Sequence, residues 1–311
     1  MKKRFFGVIL VLSIFIVNVF SVTIGVTQIV EHPALNSIFE GLKDELSDVE
    51  DVVYDHQIAQ GSFQNATQIA KKFNNDSDII VAIATPSAQA AANSITNKPI
   101  VFSAVTDPIA AGLIGNMGLN SGNIVGISDM LPVELHMKLI KNYMPNVKNV
   151  GLLYNTGEVN SKKIVELANV FTKELHLNTI EISGSNINEL ITGINSRGNE
   201  VDVFYIFTDN LVASSIELLA NTFEDKNIPA ISGDIDLARA SSVIGFGFDY
   251  RSLGVETGKI VKRIINGEKV SNIESTFMPG SALQLYVNLE RANSFGINIP
   301  QELLDKADFV E

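Results

Sequence analysis

The sequence predicts an α/β fold of two similar lobes, each a parallel sheet flanked by helices. Three observations carry this. From Val22 onward, short β-branched runs alternate with longer amphipathic stretches, the order that right-handed βαβ crossovers require. Several of the strand runs are apolar nearly throughout, as strands covered by helices on both faces are. Residues 98–115 (KPIVFSAVTDPIAAGLIG) also echo 228–245 (IPAISGDIDLARASSVIG) without a gap, matching Pro99 to Pro229, Ala110 to Ala240, Ile114 to Ile244 and Gly115 to Gly245. Just upstream, 80–91 resembles 203–214, with Thr85 on Thr208. A repeated strand-then-helix unit implies that each lobe carries its own sheet.

Taken in order, VTIGVTQ (22–28) reads as the first strand, and Pro33 opens the helix 33–46 where its missing N–H costs nothing. VVYDHQI (52–58) precedes helix 64–73, and DIIVAI (78–83) precedes helix 87–95. PIVFSA (99–104) and NIVGI (123–127) lead to helix 132–143. The second series runs NVGLLY (149–154), helix 162–175, NTIEI (178–182), helix 188–194, VDVFYIF (201–207) and helix 212–223. IPAIS (228–232) and SVIGFGF (242–248) follow. Helix 252–265 sets Leu253, Val255, Ile260, Val261 and Ile264 on one apolar face. LQLYV (283–287) and helix 289–294 complete the pattern.

The chain has 311 residues, 46% of them apolar, which is too many for a disordered chain and enough for two modest domains. It has no Cys, so a disulfide framework, a thiolate metal site and a Cys nucleophile are excluded. A formal charge of -12 argues against nucleic-acid binding, which needs a basic face to displace phosphate counterions. Residues 1–21 (MKKRFFGVILVLSIFIVNVFS) have the basic start, apolar run and small terminal residues of a secretory signal peptide, the alternative being an uncleaved anchor. Its removal leaves 20 basic against 35 acidic residues. The expected working protein is exported and acidic.

In open parallel sheets ligands bind beyond the carboxyl ends of the strands, where helix N-termini converge. The residues there are small and polar: Gln28; Thr85, Pro86 and Ser87; Thr106 and Asp107; Ser128 and Asp129. In the second half they are Asn155, Thr208, Asp209, Asn210, Gly233 and Asp234. Each alone reads as a helix cap. Together they ring the space between the lobes, which capping does not require. Enzymatic motifs are largely missing: there is no G-x-S-x-G elbow, P-loop, G-x-G-x-x-G or H-E-x-x-H. The four histidines lack metal-ligand spacing, and only His32, beside Pro33, falls near the expected cleft. His136 and His176 fall inside helical patterns, where they are expected to be packed or solvated. No metal or organic cofactor is expected.

Against this background the chain resembles the solute-binding proteins of tryptophan/tyrosine-type ABC importers. The resemblance rests on GVTQIVEHPALNSIFEGLKDEL (25–46), IATPSAQAA (83–91), VTDPIAAGLI (105–114) and VGISDMLPVE (125–134). It continues through NVGLLYNTGEVNS (149–161), FTDNLVASSIE (207–217), GFDYRSLGVETGK (247–259) and VNLERANSFGINIP (287–300). It implies the type I periplasmic-binding fold, with two lobes joined by three crossings that close on a ligand. It also implies delivery to a membrane permease with a separate cytoplasmic ATPase. Many relatives are lipoproteins, and the missing lipobox Cys departs from them. The crossings are expected near Ser128, Tyr250 and Met278, giving lobes of 22–128 plus 251–277 and 129–250 plus 278–311.

The expected ligand is a free amino acid with an aromatic or bulky apolar side chain; a sugar or nucleoside, or an exported enzyme's substrate, are the alternatives. The cleft positions hold almost no Lys or Arg, Arg239 being the nearest. A ligand carboxylate is therefore expected at the free amides of Ser87 and Ala88 with the hydroxyls of Thr85 and Ser87. The ammonium is expected at Asp209 or Asp234, with Asp209 ranked ahead; Asp107 and Asp129 are further candidates whose other reading is helix capping. Asn155, Asn210 and Gln28 are expected to add neutral hydrogen bonds. Phe102, Tyr154, Phe207 and Tyr250 are the candidates to stack on a ring, with core packing the other reading of Phe102 and Phe207.

Overall fold

A computed structural model describes residues 21–311; the proposed signal segment lies outside the described residues but for Ser21. The strands in chain order are β1 (Val22–Gln28), β2 (Val52–Ile58), β3 (Ile79–Ile83), β4 (Ile100–Ser103), β5 (Ile124–Ser128), β6 (Asn149–Asn155) and β7 (Asn178–Gly184). They continue with β8 (Val203–Ile206), β9 (Ala230–Asp234), β10 (Ile244–Phe248), β11 (Thr276–Phe277), β12 (Leu283–Val287) and β13 (Phe309–Val310). The helices are α1 (Pro33–Glu45), α2 (Phe63–Asp76), α3 (Thr85–Ser94), α4 (Val133–Tyr143), α5 (Val159–Glu174) and α6 (Ile187–Arg197). After them come α7 (Asn210–Ser214), α8 (Ile216–Asp225), α9 (Ile235–Ser241), α10 (Tyr250–Ile265), α11 (Leu289–Ser294) and α12 (Gln301–Leu304).

Two sheets result. One runs β11-β5-β4-β3-β1-β2 and the other β13-β12-β10-β9-β8-β6-β7. Reading from β2 and from β7, the first five strands take the same relative order in both, and β4 and β9, which hold the echoed segments, occupy equivalent places. The pairing is parallel except that β12 runs antiparallel to β10, a departure from the all-parallel expectation. Strand direction is set by the connection before it, here a loop rather than a helical crossover, and a single strand's residues do not encode it. The helix expected over 212–223 is two helices broken at Ser215.

Packing explains why these segments persist. Every residue of β3, Ile79 to Ile83, is buried between helices on both faces. The late helix α10 returns to the first sheet and lies on α1, and the approach is closer than any side chain would permit. A Cβ on Gly41 would sit 2.1 Å from the Arg251 carbonyl, and one on Gly254 would sit 2.2 Å from that of Ile38. Among the described residues no helix is long and apolar enough to cross a membrane.

Candidate functional site

The carboxyl ends of the two sheets face each other, and a cavity of about 30 Å³ remains between them. The lobes touch across this gap. Thr106 Oγ1, after β4, lies 3.1 Å from Thr208 Oγ1, after β8, and Lys163 Nζ on α5 lies 3.9 Å from Asp107 Oδ2. This is a closed arrangement.

On the first lobe, β3 and β4 each end in a sharp turn at an alanine that lines the cavity. Ala84 has φ 73° and Ala104 has φ 53°, the left-handed region that costs an L residue about 1–2 kcal/mol. The kink at Ala84 starts α3 at Thr85, so Pro86 is its second residue rather than its first. Ala88 N then donates to Ala84 O at 3.1 Å, whereas the amides of Thr85 and Ser87 find no backbone acceptor. The hydroxyls of Thr85 and Ser87 are buried and also lack partners. Four hydrogen-bond donors therefore collect at the positive end of a helix dipole. Thr85 lines the cavity; Ser87 and Ala88 sit behind it.

Carboxylates line much of the rest of the cavity, Asp209 and Asp234 at the second sheet and Asp129 beyond β5 of the first. Asp129, after β5, accepts from the Tyr250 hydroxyl at 3.0 Å and from Thr106 at 3.3 Å. Burial pushes it up to about 6 despite those bonds. Asp234 caps α9 by accepting from Leu237 N at 3.0 Å through Oδ1. Burial first, opposed by its amide bonds and reinforced by the charges of Asp236 and Asp129, pushes it up to about 7. Asp209 is raised by burial as well. Its oxygens are spoken for, however: Oδ1 takes Val212 N at 2.9 Å, and Oδ2 takes Asn155 N and Ser161 Oγ, each at 2.6 Å. Behind them Glu158, buried and facing Asp209, is pushed up to about 7. No Lys or Arg lines the cavity.

The sequence-predicted residues divide accordingly. Thr85, Asp129, Asp209, Asn210, Asp234 and Tyr250 line the cavity; Gln28, Ser87, Ala88, Asp107 and Asn155 do not. Gln28 is held inside its lobe, donating to Val30 O and Asn36 Oδ1 at 2.8 Å each. Asp107 caps its own turn, accepting from Ile109 N and Ala110 N at 3.1 and 2.9 Å. Asn155 faces an outer groove instead. Of the four aromatic candidates Tyr250 alone reaches the cavity. Phe102 and Phe207 are core residues, and the Tyr154 hydroxyl donates to Glu181 on the lobe's outside. His136 is packed, bonding Tyr205 at 2.7 Å and the Phe246 carbonyl at 2.6 Å; His176 lies just beyond α5, not within it.

Asn160, near the start of α5, had no signal of its own in the sequence. Its Nδ2 donates to Thr208 O at 2.8 Å and Glu158 Oε2 at 3.0 Å, while its Oδ1 is buried without a partner. Across the cavity His32 Nδ1 is in the same state, and burial, opposed by a bond to the Asn210 side chain, pulls that imidazole down to about 4. It is neutral at pH 7. Among the described residues no group of three acidic or imidazole side chains could hold a metal ion.

A family profile described as "ABC transporter substrate binding protein" matches residues 23–311. The chain is 35% identical over 259 residues, 81% of this chain and 75% of the relative, to a tyrosine-binding protein of Clostridioides difficile strain R20291. A Streptococcus pneumoniae ABC domain solved in complex with L-Trp superposes with a TM-score of 0.90 at 28% identity, covering 94% of this chain and 100% of that one. The ligand-free, open structure of a Clostridium difficile substrate-binding protein with adhesive properties gives only 0.69 at 34% identity, over 93% and 99% of the two chains. The higher identity goes with the poorer superposition, as lobe closure would produce.

Proposed function

The chain belongs to the ABC transporter substrate-binding protein family, and from that premise we propose that it captures a free amino acid with an aromatic or bulky side chain between its lobes. The observation that carries this reading is the polarity of the cavity. One part of the lining offers unpartnered donors at the N-terminus of α3, and the rest offers buried carboxylates with no protein cation among the lining residues. A zwitterion is the complement: a carboxylate for the helix end and an ammonium for the acids. Asp234 and Asp129 are the ammonium's partners in this reading, in place of Asp209. Ala84, Ala104, Ala213, Leu35 and Leu237 supply the apolar part of the lining, which suits an apolar side chain. The names of the tyrosine-binding and tryptophan-bound relatives agree with the class.

The same reading gives the protein a membrane permease and a separate ATPase as partners, and export directed by residues 1–21. The chain passes between the sheets after β5, after β10 and between β11 and β12. We place the hinge at these three crossings, so that 22–128 with 251–277 rotates against 129–250 with 278–311. A thermal-shift panel tests the proposal: tyrosine, tryptophan or phenylalanine should raise the melting temperature while alanine, glutamate, glucose and adenosine do not. A shift with the sugar or nucleoside and none with the aromatic amino acids would overturn it.

A further inference from the structure

We propose that Thr208 and Thr106 form a hydroxyl relay across the cleft that ends on Asp129. Closing the lobes thereby holds ionised and in place a carboxylate that receives the ligand's ammonium, a role that rests on the amino-acid reading above. Hydrogen counting sets the direction. A threonine hydroxyl has one hydrogen to give and two lone pairs to receive with. Thr106 Oγ1 lies 3.3 Å from Asp129 Oδ1 and 3.1 Å from Thr208 Oγ1. An ionised carboxylate only accepts, so the hydrogen of Thr106 goes to Asp129 and that of Thr208 goes to Thr106. Each bond polarises the next, which makes the chain stronger than two separate bonds.

The backbone around both hydroxyls is tied down. Ser128 Oγ donates to Thr106 O at 2.8 Å, joining the turn after β4 to the residue before Asp129. Asn160 Nδ2 donates to Thr208 O at 2.8 Å, and the next two residues, Asp209 and Asn210, are bonded to Ser161 and Glu158. Tyr250 serves the other oxygen of Asp129, Oδ2, at 3.0 Å, and among the described residues Thr106 is the side chain that serves Oδ1. Thr106 follows β4 of the first sheet and Thr208 follows β8 of the second, so their bond parts when the lobes do. On opening, Thr106 loses the donor that keeps its own hydrogen turned toward Asp129.

Calorimetry with the whole chain tests the relay, using L-tyrosine and L-tryptophan as probes that share an ammonium. Thr208→Val should weaken both about threefold to tenfold, the net worth of one hydrogen bond. Thr106→Val loses two bonds, one of them to a charge, and should cost about tenfold or more. The double variant should cost no more than Thr106→Val alone, because Thr208 acts only through Thr106. Thr208→Ser restores the hydroxyl and should bind within about twofold of wild type. In stopped-flow the losses should fall on the dissociation rate, since the bond between the lobes forms after the ligand has entered. If Thr106→Val folds poorly, Thr208→Val and Thr208→Ser decide, the first required to lose affinity and the second to keep it. Unchanged affinity in Thr208→Val, equal losses in the two single variants, additive losses in the double, or a loss confined to one ligand overturns the relay and leaves the amino-acid reading intact. A wild-type protein that binds neither ligand overturns both.

Discussion

The Oδ1 of Asp234 is spent on the amide of Leu237, and among the described residues no side chain donates to this carboxylate. Asparagine at this position keeps the cap, since its side-chain oxygen serves α9 as well, and removes only the charge. Asp234→Asn should therefore weaken amino-acid binding at least about tenfold, or ~1.4 kcal/mol, with little change in the unfolding midpoint. Asp209→Ala should do the reverse, lowering stability by about 1–2 kcal/mol through a lost cap in urea titrations. The acids also set a pH dependence. An ammonium bound beside Asp129 and Asp234 lowers their pKa values from the about 6 and about 7 of the empty closed cleft, so the complex binds fewer protons than the free protein. Affinity measured by calorimetry should hold above about pH 7 and fall as the pH drops through about 6; a flat profile from pH 5 to 8 contradicts this. His32, neutral throughout that range, adds nothing to it. At this scale the sequence was partly legible. Strand-end acids were visible as a class, but which carboxylate keeps a free oxygen depends on Ser161 and the amide of Asn155, remote in sequence from Asp209. Asn160 was hidden for the same reason.

Among the elements, α3 and α10 carry the most testable consequences. If α3 receives the ligand's carboxylate, a Thr85→Val, Ser87→Ala double variant loses two hydroxyls from its first turn and should weaken binding about tenfold or more. Full affinity in that variant would remove α3 from the account. Gly254 on α10 lies against the backbone of Ile38 on α1, and Gly254→Ala should force the two helices apart and cost about 1–3 kcal/mol in urea titrations. Periodicity located the elements well where they are long or strongly apolar. The bounds of β1, β2, β12 and α11 fall where residue pattern places them, because β-branched runs and clear turn residues mark their ends. The seven residues of α9 and the two each of β11 and β13 carry too little pattern to be seen. The antiparallel sense of β12 has no local signature at all.

At the scale of the molecule, the Thr106–Thr208 contact and the Lys163–Asp107 approach join the two lobes, and the proposed hinge would break both on opening. Small-angle scattering should show a more extended particle without ligand and a more compact one at saturating tyrosine; an unchanged profile would argue for a rigid receptor. The central claim is that the cleft reads both charged ends of a free aromatic amino acid. Calorimetry on the wild-type protein with L-tyrosine, its decarboxylated analogue tyramine and its deaminated analogue 3-(4-hydroxyphenyl)propionate tests this most directly. Tyrosine should bind and each analogue should lose at least about 100-fold, because one set of buried partners is then left unpaired. Either analogue binding as tightly as tyrosine would contradict it.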